Sequence, residues 1–143
     1  MAGIALTSEL DRAIREHGRE AFPHECCGFL LGKDADCGRR VEEVLPAMNS
    51  RGEKELHNRF TITPEAFLQA EKRADATKLD ILGFYHSHPN APARPSQYDL
   101  DHAWPVYSYI IVSVQDGKPA DMTSWLLKDD RSAFEPENIV IND

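Results

Sequence analysis

The chain has 143 residues, enough for one domain with a hydrophobic core, and we predict a single domain over residues 1–143. Its 24 acidic residues outnumber the 16 basic ones, and the resulting charge of −8 argues against nucleic acid as a partner. No apolar run approaches the roughly 18 residues that span a bilayer, and the N-terminus lacks a signal-peptide pattern. We therefore expect a cytoplasmic globular protein that does not associate with membranes.

Hydrophobic periodicity predicts two long helices and one short helix around a mixed sheet. Strands alternate with helices along the chain, which is typical of a layered α/β domain rather than a bundle or a sandwich. In chain order we predict a helix over 7–21, strands over 25–32, 40–48 and 59–62, a helix over 64–78, a strand over 81–88, a short helix over 96–102, strands over 107–114 and 121–128, and an edge strand over 139–141.

Capping and turn residues support these boundaries. Thr7 or Ser8 can cap the first helix, and Thr63 with Pro64 is typical of the start of the second. The stretch 49–58 is polar and contains a glycine, so we expect a mobile surface loop there.

The strand over 81–88 ends in His86-Ser87-His88-Pro89. Side chains two apart on a strand point to the same face, so both imidazoles can converge on one ion while Ser87 points away. The proline ends the strand, and α/β sheets usually place their sites at such carboxyl ends. This spacing is compatible with structural histidines, but it also predicts a metal site.

A second motif, Pro95-Ser96-Gln97-Tyr98-Asp99, follows the histidines. Ser-x-x-Asp after a proline is typical of a capped helix start, and its first turn brings Ser96 and Asp99 to one side. Asp99 can then supply a third ligand. Two histidines, a carboxylate and one open position form a common catalytic zinc arrangement.

A hydrolase of this kind also needs a group that accepts and donates protons, and a carboxylate in an apolar environment can do both. Glu25 heads the apolar run Glu25-Cys-Cys-Gly-Phe-Leu-Leu-Gly, an unusual position for a charge without a task. Glu20, near the end of the first helix, is a weaker alternative.

These residues together resemble the JAMM metalloproteases, also called the Jab1/MPN+ or Mov34 domain. The family pattern is a glutamate, then His-Ser-His-Pro, six residues, and Ser-x-x-Asp, and this chain supplies it in that order and spacing. The segments 23–32, 59–67 and 82–89 resemble the family's first strand, its approach to the second helix and its metal-binding strand. The resemblance covers nearly the whole chain.

The resemblance implies a cytidine-deaminase-like (JAB1/MPN) α/β fold and one Zn²⁺ ion. It assigns His86, His88 and Asp99 as metal ligands, Glu25 as the general acid/base, and Ser96 as a donor to the oxyanion. Family members cleave isopeptide or peptide bonds at the C-terminus of ubiquitin or ubiquitin-like proteins. The chain is similar to the compact prokaryotic members, so we expect a zinc metallopeptidase that processes a ubiquitin-like or sulfur-carrier tail. That extended tail can add to a sheet edge, and the stretch 49–58 could help clamp it.

Four other functions compete with the metallopeptidase interpretation. The chain could be a non-catalytic MPN-type scaffold that binds a ubiquitin-like partner, although such scaffolds have typically lost ligands. The DNA-repair-associated RadC proteins carry a similar histidine run. A zinc deaminase would need H-x-E with P-C-x-x-C, and neither occurs. A cysteine nucleophile would use Cys26 or Cys27 and would survive metal removal.

For the remaining polar and aromatic residues we predict burial or hydrogen bonding rather than a catalytic role. We expect Cys26 and Cys27 to be small buried residues and Trp104 and Trp125 to pack in the core. His102, three residues after Asp99, could form hydrogen bonds near the site. Arg94 has no predicted role, and the sequence does not predict the oligomeric state.

Overall fold

A computed structural model describes residues 3–35, 38–47 and 62–142 of the chain. Within these ranges, eight strands form one sheet in the order β7-β6-β5-β4-β2-β3-β1-β8. In chain order the elements are β1 (Ile4–Thr7), α1 (Ser8–Ala21), β2 (Cys27–Ala35), β3 (Gly38–Ala47), α2 (Pro64–Thr77), β4 (Asp80–Pro89), α3 (Gln97–His102), β5 (Ser108–Gln115), β6 (Lys118–Leu127), β7 (Phe134–Glu137) and β8 (Ile139–Asn142).

Strand β4 lies near the middle of the sheet, antiparallel to β2 and parallel to β5. Its register places Cys27 opposite His86 on one side and Ser113 opposite His88 on the other. Because β4 and β5 run in the same direction, their carboxyl ends meet at one edge of the sheet. The histidine pair lies at that edge.

Each face of the sheet carries its own apolar core. On one face α1 packs over a cluster that includes Ile14, Leu30 and Tyr85. On the other, α2 packs over a cluster that includes Phe29 and Phe84. Successive residues of β2 and β4 thus contribute to opposite cores, as the two-residue period of a strand requires.

The α/β class and the mixed sheet predicted from the sequence are confirmed. Three local predictions need correction. The strand predicted over 25–32 runs instead over Cys27–Ala35, because pairing with β3 continues until Ala35 lies opposite Gly38. The short strands β1 and β7 were not predicted. β1 has only four residues and runs directly into α1, and β7 contains Pro136, which strands tolerate mainly at sheet edges.

The remaining predictions concern the C-terminal edge strand and the segment between β3 and α2. The edge strand predicted over 139–141 is present as β8. The loop over 49–58 and most of the strand over 59–62 lie outside the described residues. In the part of the chain that is described, none of the helices has the length and apolar character needed to cross a bilayer.

Candidate metal centre

The two histidines of β4 are buried side by side at the end of the strand. Only 1% of His86 and 7% of His88 is exposed, and their Nε2 atoms are 3.1 Å apart. The Nδ1 atom of His88 lies 2.9 Å from the Pro92 carbonyl oxygen. Since a carbonyl oxygen only accepts, Nδ1 of His88 carries a proton, and in the neutral ring Nε2 therefore presents a lone pair to the site.

Asp99 reaches the same point from the first turn of α3. Ser96 and Asp99 form a capping box, in which the Asp99 N–H donates to the Ser96 Oγ at 3.0 Å and the Ser96 N–H donates to Asp99 Oδ2 at 2.8 Å. These bonds fix the carboxylate, and its Oδ2 lies 3.2 Å from His88 Nε2 and 3.4 Å from His86 Nε2. The helix cap predicted from the sequence therefore also orients a candidate ligand.

The geometry of the three donor atoms fits a divalent metal ion. Ligand atoms about 2.0–2.1 Å from a tetrahedral zinc are about 3.3 Å from one another. The three observed separations of 3.1, 3.2 and 3.4 Å agree with that spacing. The lone pair of His88 Nε2 also faces a carboxylate oxygen, a contact that becomes favourable when a cation lies between them. The group His86, His88 and Asp99 can thus hold a metal ion.

Electrostatics favour a cation at the same point. Burial lowers the pKa of His86 below its usual value, against the opposing influence of Asp99. Burial also disfavours charge on His88, but the protonated ring would donate from Nε2 to Asp99, and this bond, with the Asp99 and Glu25 charges and the Pro92 carbonyl, outweighs burial and raises the pKa of His88. The histidines hold the pKa of Asp99 far below its usual value despite burial. Asp99 is therefore an anion among largely desolvated nitrogen donors.

Glu25 lies beside this centre without belonging to the three-donor group. Its side chain is buried, with 5% exposed. The amide of Ser87 donates to the Cys26 carbonyl at 3.2 Å, which continues the β2–β4 contact past Cys27 toward Glu25. The effect of its charge on the pKa of His88 is consistent with this proximity. A buried carboxylate beside a metal site is suited to proton transfer.

An apolar cavity of about 500 Å³ opens next to the donors. His86 and Asp99 line it, together with residues of α2 and the segment before it, of β4 and β5, and of α3 and the segment after it. Aromatic rings dominate these walls: Phe67, Phe84, Tyr98, Trp104, Tyr107 and Tyr109. A substrate side chain or a narrow peptide segment can therefore lie in an apolar environment beside the metal centre.

Comparison with known proteins places the fold and site in context. A family model described as prokaryotic homologs of the JAB domain matches residues 7–128. The chain belongs to this family. The JAMM resemblance inferred from the Glu, His-Ser-His-Pro and Ser-x-x-Asp pattern is thereby confirmed.

Three relatives of this JAB-domain protein are named as desampylases or as a probable conjugate-cleaving protease. It is 33% identical over 120 residues to the desampylase of Haloferax volcanii, covering 80% of this chain and 83% of that protein. It is 30% identical over 118 residues to the desampylase of Pyrococcus furiosus, covering 81% and 76%. A probable TtuB-protein conjugate cleaving protease of Thermus thermophilus is 35% identical over 102 residues, covering 68% and 61%.

Solved structures agree with the JAB-domain assignment. A solution structure of a protein from Desulfitobacterium hafniense superposes with a TM-score of 0.86 at 34% identity, covering 98% of this chain and 93% of that one. A crystal structure of a JAB1/MPN domain protein from Archaeoglobus fulgidus shares the fold, with a TM-score of 0.57 at 18% identity, covering 100% and 98%.

The structure also places the cysteines, Arg94 and His102, for which the sequence made weaker predictions or none. Cys26 and Cys27 are buried free thiols, as predicted. Burial raises the pKa of Cys26 to about 11 and that of Cys27 to about 12, so neither supplies a ready thiolate nucleophile. Arg94 is exposed. His102 lines the cavity, and its Nδ1 lies 2.9 Å from the Tyr98 carbonyl oxygen.

The prediction that Trp104 packs in the core is wrong, since 64% of its surface is exposed at the cavity. The segment that carries it is held by arginines distant in sequence: Arg131 donates to the Ala103 carbonyl at 2.8 Å, and Arg39 donates to the Val106 carbonyl. Trp125 is partly buried.

Two groups near the site were not found by sequence reasoning. The Pro92 carbonyl is a backbone group, and no residue type marks it in advance. The aromatic cavity walls have a visible signal, since Tyr107 and Tyr109 lie two residues apart on either side of the first residue of β5, and Phe84 precedes His86 by two residues. Side chains two apart on β4 share a face, so Phe84 could have been predicted beside His86.

Proposed function

We propose that this protein is a zinc-dependent metallopeptidase that hydrolyses an amide bond at the C-terminus of a ubiquitin-like or sulfur-carrier protein. The observation that carries the proposal is the meeting of three metal-donor atoms, 3.1–3.4 Å apart, beside an apolar cavity and a buried glutamate. The desampylases and the TtuB-conjugate protease among its relatives support the reaction class.

In this proposal His86, His88 and Asp99 hold one zinc ion. A zinc ion in such a site polarises an amide carbonyl and makes water nucleophilic at neutral pH. Asp99 contributes a negative charge through Oδ2, which the Ser96 amide keeps oriented. The Pro92 carbonyl holds the proton of His88 on Nδ1, so its Nε2 remains available as a donor.

Glu25 is the proposed proton carrier. Its carboxylate accepts a proton from the attacking water and transfers it to the nitrogen of the departing amine. Burial beside the metal centre suits this role, because a carboxylate shielded from bulk water can change protonation state as charge develops nearby.

Ser96 is the proposed donor to the oxyanion that forms as the carbonyl carbon becomes tetrahedral. Its Oγ already accepts the Asp99 N–H at 3.0 Å, and a hydroxyl that accepts one bond retains its proton for donation. Ser96 is exposed at the start of α3, next to a ligand, so a substrate carbonyl can approach it.

The partner we propose is a small carrier protein with an extended tail rather than nucleic acid, which the charge of −8 disfavours. The cavity walls suit an apolar side chain of that tail or of the group released from it. We also propose a cytoplasmic location, where free thiols such as Cys26 and Cys27 persist. The retained donor set argues against the non-catalytic scaffold.

The test is cleavage of a ubiquitin-like carrier that bears a short C-terminal extension. Purified protein should release the extension, lose activity after chelation, and regain it when one equivalent of zinc is added. Alkylation of thiols should leave the rate unchanged, since Cys26 and Cys27 are buried and their raised pKa values keep both thiols protonated. A protein that survives chelation but is inactivated by alkylation would be a cysteine enzyme. One that binds the carrier without cleaving it would be a scaffold.

A further inference from the structure

The loop after β4, residues 90–95, is held by its carbonyl groups. The Pro92 carbonyl accepts the Nδ1 proton of His88 at 2.9 Å and the N–H of Arg94 at 2.8 Å. The carbonyls of Ala91 and Ala93, on either side of it, accept hydrogen bonds from hydroxyl groups on β5 and β6. The position of the group that orients His88 therefore depends on its two neighbours.

The first support comes from β5. Ser113 lies opposite His88 in the sheet register, is 3% exposed, and donates from its Oγ to the Ala91 carbonyl at 2.6 Å. The Gln115 side-chain amide donates to the Ser113 Oγ at 2.6 Å and also lies 3.2 Å from the same carbonyl. Because Gln115 occupies an acceptor site on the hydroxyl, the Ser113 proton is directed toward the loop.

The second support comes from β6 and has the same hydrogen-bond arrangement, in which a hydroxyl donates to the loop and accepts from another side chain. Thr123 donates from its Oγ1 to the Ala93 carbonyl at 2.6 Å, and the Trp125 indole N–H donates to Thr123 Oγ1 at 2.8 Å. The indole can only donate, so the Thr123 proton must point away from it, toward the loop. Each hydroxyl is thus polarised by a donor behind it, which strengthens the bond to the loop.

We propose that Ser113 and Thr123 are positioning residues for the metal centre. By fixing the carbonyls of Ala91 and Ala93 they fix the Pro92 carbonyl between them, which keeps the proton of His88 on Nδ1 and turns Nε2 toward His86 and Asp99. The inference rests on the proposed metal site but assigns new residues to it. Neither hydroxyl is among the described metal-donor atoms, and both act through the backbone of the loop.

Strand β6, which carries Thr123, also offers a matched control. Ser124 follows Thr123, is 2% exposed, and donates from its Oγ to Glu137 Oε1 at 2.8 Å. Its hydrogen bond ties β6 to β7 instead of to the loop. Ser124→Ala therefore removes a buried hydroxyl of similar environment without loosening the support of Pro92.

The first measurement is Co²⁺ affinity, followed by the d–d absorption of the bound ion, with zinc competition. The double variant Ser113→Ala/Thr123→Val should bind about 10- to 100-fold more weakly, as for other losses of groups that orient a metal ligand. Thr123→Ser keeps the hydroxyl, so this variant should bind Co²⁺ about as tightly as the unmodified protein. Ser124→Ala, the control, should also bind Co²⁺ as the unmodified protein does. Unchanged affinity and spectrum in the double variant, or an equal loss in Ser124→Ala, would overturn the inference.

The second measurement needs no metal. Nitrogen-15 NMR of the metal-free protein, at a pH where His88 is neutral, reports which ring nitrogen carries the proton. We expect Nδ1–H in the unmodified protein and a mixture of tautomers in the double variant. Protonation of Nε2 in the unmodified protein, or an unchanged tautomer in the double variant, would contradict the inference even if the zinc proposal is correct. If the protein bound no ion, the zinc proposal would fail while this readout would still decide the inference.

Discussion

The two faces of strand β4 use polar residues in different ways. On the face toward α1, the Tyr85 hydroxyl lies 2.7 Å from His17 Nδ1, and the Ser87 Oγ accepts a backbone N–H at 2.8 Å. On the face toward the cavity, His86 and His88 direct their Nε2 atoms at each other and at a carboxylate. Both faces are buried, but only the second gathers donor atoms around one point.

The difference shows what separates a structural polar cluster from a reactive one. Hydrogen bonds on the α1 face pair a donor with an acceptor, and the residues that make them include Tyr85 of the apolar core under α1. The cavity face brings lone pairs and an anion together, which is favourable when a cation joins them, and it borders open space. Burial alone would not distinguish the two faces, because Tyr85 and Ser87 are as buried as the histidines.

The largest effect should follow loss of a metal donor on the cavity face. Asp99→Asn replaces the anionic ligand with a neutral amide, so we expect zinc binding to be lost and cleavage to fall to background. The control is Asp101→Asn, on the exposed side of the same short helix, where the carboxylate accepts from Gln97 at 2.8 Å. Metal analysis and the cleavage assay report the outcome. A zinc-loaded, active Asp99→Asn protein would remove Asp99 from the ligand set.

The next effect separates the proton carrier from the ligands. Glu25→Gln should lower kcat by about 10²–10⁴, the usual contribution of a general acid/base, while zinc content stays at one per chain. Glu20→Gln tests the alternative at the exposed end of α1 and should leave kcat unchanged. Full activity of Glu25→Gln, or an equal loss in Glu20→Gln, would reject the assignment.

A smaller effect is expected at Ser96, which has both a capping role and a proposed catalytic one. Ser96→Ala should lower kcat by about 10²–10³, as for loss of one oxyanion donor, and should cost about 1 kcal/mol of stability through the lost cap. Ser96→Thr keeps the hydroxyl and should recover most of both. Thermal unfolding and kcat are measured on each variant. A stability loss with unchanged kcat would leave Ser96 as a cap alone.

The smallest effect belongs to the α1 face, where changes should affect stability and leave chemistry intact. Tyr85→Phe removes the hydrogen bond to His17 and should cost about 1 kcal/mol of unfolding free energy, with kcat unchanged. A large loss of kcat with normal zinc content would show that the two faces are not functionally separate.

The same face should also make stability depend on pH. Burial lowers the pKa of His17, outweighing the opposite influence of Glu20. The unfolded chain therefore takes up the proton at a higher pH than the folded one, and stability falls as pH drops below about 6.5. His17→Gln should flatten this part of the stability profile, measured by denaturant unfolding between neutral and mildly acidic pH.

Local patterns in the sequence were sufficient to predict the donor group. The two-residue spacing of His86 and His88 on a strand fixes their common face, and the Ser96–Asp99 cap needs only one helical turn. That Asp99 reaches the histidines was predicted from the closeness of the two motifs in sequence and was reinforced by the family pattern, because the loop between them has no regular geometry to extrapolate. The catalytic roles assigned to Glu25 and Ser96 stay predictions.

What the sequence could not predict depends on contacts between distant segments. Trp104 has a residue type typical of a core, yet Arg39 and Arg131 bind the backbone around it and leave its ring exposed at the cavity. Ser113 and Thr123 carry no motif, and their link to His88 passes through loop carbonyls that only the folded chain brings together. Such backbone acceptors have no signature in residue type.

The most direct measurement is a crystal structure of the zinc-loaded protein with anomalous diffraction recorded on both sides of the zinc absorption edge. We expect one zinc peak per chain, about 2.0–2.2 Å from His86 Nε2, His88 Nε2 and Asp99 Oδ2, with a fourth position open toward the cavity. A zinc ion bound by the thiols of Cys26 and Cys27, or one without contact to the two histidines, would contradict it.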